Sequence, residues 1–195
     1  MIVLGIDPGS RLTGWGVVRV HGAAGRIVEA VAHGTIAGGT GELSTRLVSI
    51  GRGLVDVIEQ HRPELVGVEQ AFHAKNVRST LILGHVRGLV LWLAADRGLA
   101  VAEYAPRAVK MAVTGRGGAS KPQVAEMVRR LLALDARPAA DAADALAVAL
   151  CCARRSGVAG GGAVAARATA PRTATSTTGE VIDLSRAFAR VRRPR

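Results

Sequence analysis

Cysteine is nearly absent from this chain: the only two, Cys151 and Cys152, are adjacent. An adjacent pair cannot build a disulfide framework and lacks the spacing of a metal-binding motif, so a reducing, cytoplasmic compartment is expected. Long apolar runs are missing as well. The most apolar stretch, 88–95, stops at Asp96 and is too short to span a bilayer. The first residues run straight into a strand-like segment without the basic leader of a secretory signal, and the expectation is a soluble intracellular protein. Aromatic side chains number only five, which gives weight to any that falls in a loop. Acidic residues are scarce too, 15 against 26 lysines and arginines.

The formal net charge is therefore +11, and it is uneven. Residues 155–195 carry eight arginines against Glu180 and Asp183, while residues 1–154 carry 18 basic and 13 acidic side chains. A field of that sign favours polyanions, nucleic acid first and an anionic membrane surface second.

At 195 residues the length suits one domain with an appendage. Residues 2–6 read as a fully buried strand, and Asp7-Pro8-Gly9-Ser10 as a turn. Strand-like runs over 13–20 and 26–36, separated by Gly22–Gly25, complete a three-stranded antiparallel meander. Apolar residues from Leu43 to Ile58 recur every three or four positions, as on one helix face, and Pro63 ends that pattern. A fourth strand follows at 65–69, a long helix at 77–97 and a fifth strand at 100–104. Pro106 suits the first turn of a helix, and Ser120 with Gln123 forms a capping-box pattern for the next. The last helix runs from about 139 to 154. The order predicts an α/β fold, a five-stranded mixed sheet with three antiparallel and two parallel strands and helices on both faces. The domain reading is 1–155 for this unit and 156–195 for a low-complexity basic tail without apolar periodicity, read as disordered.

Four carboxylates stand out against this frame. Asp7 and Glu69 each close an apolar run, and Asp141 and Asp144 lie three apart in an alanine-rich helical stretch. If the helix after the meander is a crossover, strands one and four are parallel neighbours and Asp7 and Glu69 emerge at one sheet edge. Asp141 and Asp144 share a helix face that can dock there. Four such groups repel one another and raise their own pKa values unless cations intervene. Two divalent ions relieve this, and hard oxygen ligands suit Mg²⁺ or Mn²⁺. Such a pair performs phosphodiester hydrolysis. Each acid alone also reads as a turn residue, a strand-end charge or a helix-start charge.

The segments Gly5-Ile6-Asp7-Pro8-Gly9, GVEQAFHAKN (67–76), YAPRAVK (104–110) and ADAADALAVAL (140–150) are ordered and spaced as in one family. Over residues 1–155 the chain resembles the RuvC family of bacterial Holliday junction resolvases. The resemblance implies an RNase H-like fold, a homodimer, symmetric Mg²⁺-dependent nicking of a four-way DNA junction in recombination and repair, and cooperation with the RuvA–RuvB branch-migration complex. By the same resemblance Asp7, Glu69, Asp141 and Asp144 are catalytic metal ligands, two Mg²⁺ per site with Mn²⁺ as a substitute. Lys110 and Lys121 match catalytic basic positions beside the scissile phosphate. Phe72 stands where an aromatic ring can stack on an unpaired base. Lys75, Arg78, Arg87 and Arg107 are candidate contacts to the DNA backbone. The helix at 77–97, with Gly84 and Gly88 one turn apart, is placed near the dimer interface. His73 departs from the apolar residue common there and reads as exposed. The arginine-rich tail exceeds the usual family length; it reads equally as an added DNA-binding segment or as compositional drift.

Two other classes remain in view. An actin-like or sugar-kinase-like ATPase shares the strand, aspartate and glycine-turn opening, but needs two such domains and a second phosphate motif. A non-catalytic DNA-binding protein uses the basic surface alone and leaves the four acids unexplained.

Overall fold

Ile2–Asp7 forms strand β1, and its alternating side chains set the plan of the molecule. The computed structural model describes residues 1–21, 27–70 and 77–158. β1 pairs antiparallel with β2 (Leu12–His21), which pairs antiparallel with β3 (Ile27–Ala37). Helix α1 (Leu43–His61) then crosses over to β4 (Leu65–Glu69), parallel to β1. Helix α2 (Val77–Asp96) leads to β5 (Ala100–Tyr104), parallel to β4. The sheet order is β3-β2-β1-β4-β5, so the expected mixed sheet of five strands is present. Three further helices follow: α3 (Pro106–Thr114), α4 (Lys121–Leu131) and α5 (Ala140–Val158).

Side chains on a strand alternate between faces, and both faces of this sheet are covered. Leu4, Ile6, Val66 and Val68 pack with Ile50, Leu54, Val86 and Val90 of α1 and α2. Val3 and Val18 on the other face pack with α3, α4 and α5. Val17 and Val18 serve opposite cores by the same alternation, and the one irregularity in the β2–β3 pairing leaves Val31 of β3 as an extra residue between the partners of Val17 and Val18. From Ala142 to Ala153 every α5 residue except Asp144 is buried. That helix approaches the sheet closely because glycine faces it. A Cβ on Gly5 would lie 2.2 Å from the Ala145 carbonyl oxygen, and one on Gly14 would lie 2.0 Å from that of Asp141.

Helix α1 ends at His61, just before Pro63 as expected, and Arg62 closes it in the left-handed region (φ 46°) with its N–H on the Ile58 carbonyl. One boundary differs from the sequence reading: helix α5 runs to Val158, past the end expected at about 154. Ser156 Oγ bonds the Cys152 carbonyl at 2.9 Å inside this extension. Cys151 and Cys152 are buried free thiols, and burial pushes Cys152 up to about 11. The tail beyond α5 lies outside the described residues.

Candidate active site

The parity of β1 and β4 brings two of the four acids together. Val3 and Gly5 face α5, so Asp7, two residues on, faces it as well. On β4, Gly67 faces Val148 and Cys152 of α5, and Glu69 follows on the same side. The last parallel pair is Ile6 with Val68, so continuing the register sets Asp7 beside Glu69. Their carboxyl groups hydrogen-bond to each other.

Helix α5 supplies the other two acids. Asp141 lies in its first turn with its carbonyl against Gly14, the residue that pairs with Asp7 across β1 and β2. The start of α5 therefore sits at the sheet edge that carries Asp7. Asp144, one turn on, breaks the buried run of α5 and its side chain is only 17% exposed. It acts electrostatically on both Asp7 and Glu69. The side chain of Asp141 forms no ion pair or hydrogen bond among the described residues.

Burial first, then the charges of Glu69 and Asp144, pushes Asp7 up to about 8. Glu69 is raised by burial and by Asp144, and lowered by the hydrogen bond from Asp7. The pair therefore shares one proton at neutral pH, with Asp7 as donor. Lys121 Nζ contacts Asp144 Oδ2 at 2.5 Å, and that contact raises the lysine pKa above its usual range. Lys121 stands at the first position of α4, inside the Ser120–Gln123 capping box expected from sequence. Lys110 on α3 lies close enough to favour the charged form of Glu69. The result is an acidic cleft restrained by one shared proton and two lysines.

Among the described residues, no three acidic, histidine or cysteine side chains already converge as a ready ligand set. The donor chemistry nevertheless fits a hard divalent cation. Every candidate ligand is a carboxylate oxygen, and their mutual charge is offset in part by a proton and a lysine that a cation can replace.

The expected DNA-contacting residues fare differently. Arg107 is exposed, with its aliphatic stem against Gly117 in the turn before α4, and Arg78 is exposed at the start of α2. Phe72, His73 and Lys75 lie outside the described residues. The Arg87 guanidinium makes a two-pronged pair with Glu103 of β5, Nε to Oε1 at 2.7 Å and Nη2 to Oε2 at 2.8 Å, which ties α2 to the sheet. The direct Lys121–Asp144 contact was missed because the partners are 23 residues apart on different helices; no local spacing signals it.

The family model described as "Crossover junction endodeoxyribonuclease RuvC" matches residues 3–152. The chain is 51% identical over 150 residues to the crossover junction endodeoxyribonuclease RuvC of Pseudomonas putida, covering 77% of this chain and 84% of that protein. It is similar to Thermus thermophilus RuvC solved in complex with a Holliday junction substrate, with TM-score 0.74 and 35% identity over 81% of this chain and 96% of the other. The yeast mitochondrial Holliday junction resolvase Ydc2 shares the fold at TM-score 0.59 and 15% identity, covering 78% of this chain and 77% of that one. The fold is thus RNase H-like, as the sequence resemblance implied. With a family model spanning most of the chain and a relative at half identity, this protein belongs to the RuvC family of crossover junction endodeoxyribonucleases.

Proposed function

We propose that this chain resolves four-way DNA junctions by symmetric paired nicking in recombination and repair, with divalent cations held by Asp7, Glu69, Asp141 and Asp144. The observation that carries the reading is the pairing of Asp7 with Glu69 at one sheet edge, within reach of Asp144 and Lys121. Mg²⁺, two per site with Mn²⁺ as a substitute, would activate a water and steady the leaving oxygen. Asp7 and Glu69 present their oxygens from rigid strand ends, and Asp144 from a helix buried along its length. Lys121, 73% exposed, swings between Asp144 and a phosphate oxygen. Lys110, on the Glu69 side, offers a second point charge to the phosphate. Phe72 would stack on an unpaired base near the crossover, and Lys75, Arg78 and Arg107 would follow the backbone.

A junction offers two equivalent strands, which suits a two-fold dimer. Helix α2 supports one. It is 20 residues long and apolar enough to cross a membrane by length and composition, yet it packs on the α1 core through Val86, Val90, Leu93 and Ala94. Its outer stripe of Val77, Leu81, Gly84, Gly88 and Trp92 is exposed, and Cβ atoms on the two glycines would meet nothing within 4 Å. A groove of about 370 Å³ between α1 and α2, lined by Leu47, Val48, Val55, Leu89 and Trp92, adjoins the stripe. A second copy fits this apolar surface, and the family's RuvA–RuvB complex would act with the dimer in the cytoplasm.

The test is a synthetic four-way junction and a linear duplex of the same sequence, each incubated with Mg²⁺. Paired symmetric nicks in the junction alone are expected. Asp7→Asn should reduce cutting by at least about a thousandfold and leave junction binding within a few-fold of wild type. Retained cutting by that variant refutes the proposed site.

A further inference from the structure

Glu126, on α4, accepts hydrogen bonds from three arginines. Its Oε1 takes Arg129 Nη2 at 3.0 Å and Arg130 Nε at 2.8 Å; its Oε2 takes Arg129 Nε and Arg137 Nη2, both at 3.2 Å. These pairs hold the Glu126 carboxyl down at about 2, so it stays charged. Arg129 also bonds the Leu134 carbonyl at 3.3 Å and so fastens the connection between α4 and α5. Arg130 and Arg137 are less committed, with side chains 67% and 55% exposed. One carboxylate cannot neutralise three guanidiniums. From 116 to 137 the charged residues are Arg116, Lys121, Arg129, Arg130 and Arg137 against Glu126 and Asp135, five against two.

A groove of about 770 Å³ runs beside this cluster, between the turn after α3 and helix α4. Arg116 and Arg130 stand on its rim, and Ala119, Pro122 and Met127 give it an apolar floor. Pro122, Gln123, Glu126, Met127 and Arg130 share the outer face of α4, whereas Lys121 lies with the buried Val124 and Val128 on the side that meets Asp144 of α5. An apolar floor suits deoxyribose, and a guanidinium rim suits phosphate oxygens through paired N–H donors.

We propose that this groove, on the face of α4 turned away from the acidic cleft, is a second backbone subsite that holds a DNA strand on Arg116, Arg130 and Arg137. Glu126 is a positioning residue that spreads Arg130 and Arg137 without cancelling their charge. The proposal rests on the junction-resolving reading, because it takes the bound strand to be an arm of the junction substrate.

The experiment is fluorescence anisotropy of a labelled four-way junction with the full chain in EDTA, from 50 to 300 mM KCl. Arg116→Ala, Arg130→Ala and Arg137→Ala should each weaken binding about three- to tenfold near 0.1 M salt. Each should also reduce the slope of log K against log salt by about 0.9, and the triple variant by about 2–3. Arg130→Lys keeps the charge and should keep the slope. An unchanged slope in the triple variant overturns the subsite, whatever happens to its melting temperature. A wild-type protein with no preference for the junction over linear duplex would instead sink the junction reading, and a slope change measured on duplex would then leave the backbone subsite standing.

Discussion

The two faces of the sheet are closed by opposite means. On the face of the acidic cleft, α5 is made chiefly of alanine and sits directly on strand glycines, burying all but one residue between 142 and 153. On the other face, α1 and α2 pack large aliphatic side chains inward and leave Val48, Val77, Leu81 and Trp92 at least half exposed. Small residues permit a close approach that fixes backbone positions to within fractions of an ångström, and two aspartates ride on that helix. Large residues cover a core with area to spare, and the spare area suits a second molecule. Precision and association are thus assigned to different sides of one sheet.

Glycine substitutions break the comparison most sharply. Gly14→Val places a methine carbon 2.0 Å from the Asp141 carbonyl oxygen. It should cost more than about 3 kcal/mol, or roughly 6–12 °C in melting temperature, and shift α5 enough to cut junction cleavage about a hundredfold. Gly84→Ala on the opposite side meets nothing within 4 Å. It should leave folding unchanged or improve it by about 0.5–1 kcal/mol, since alanine is the better helix former. Equal losses from the two variants in thermal melts would erase the distinction between the faces.

A second, smaller effect concerns association. Leu81 is 60% exposed, so Leu81→Asp should change the melting temperature of the isolated protomer by no more than a few degrees. Sedimentation should nevertheless show the dimer dissociating at concentrations at least tenfold higher than for wild type. A dimer of unchanged affinity would remove α2 from the interface.

The smallest effect sharpens the electrostatic side. Burial and its acidic neighbours push Asp7 up to about 8 in the folded chain from the ordinary 3.8, so the metal-free folded state holds a proton that the unfolded chain gives up near pH 4. Its contribution is full below about pH 4 and is lost as pH rises through about 8. Melting temperature in EDTA should therefore fall between pH 5 and 8. Asp7→Asn should flatten that fall and exceed wild type at pH 8 by roughly 1–3 kcal/mol, about 3–10 °C. Parallel pH profiles for the two proteins would disprove the shared proton.

Most of this architecture is legible in the sequence because the signals are local. The apolar run ending at Asp7, the five-residue run ending at Glu69 and the helical periodicity from Leu43 to Ile58 each declare an element, and chain-crossing rules leave few ways to join them. Asp7 and Glu69 meet for that reason. Pairing between distant elements is not legible: the Arg87–Glu103 fork and the Lys121–Asp144 contact join residues 16 and 23 apart on separate elements. Nor does composition reveal how deeply α5 is buried. Alanine carries almost no amphipathic signal, and only the facing glycines explain the depth.

The parallel register of β1 and β4 has a consequence beyond holding two acids together. Neighbouring strands are spaced at about 4.8 Å by their hydrogen bonds, and that ladder acts as a ruler for the cleft. Side-chain repacking cannot change the interval, and a slip of one residue would turn Glu69 into the apolar core instead of moving it slightly. The separation of the two carboxylates is therefore a digital property of the backbone, open to adjustment only by the one methylene that distinguishes glutamate from aspartate.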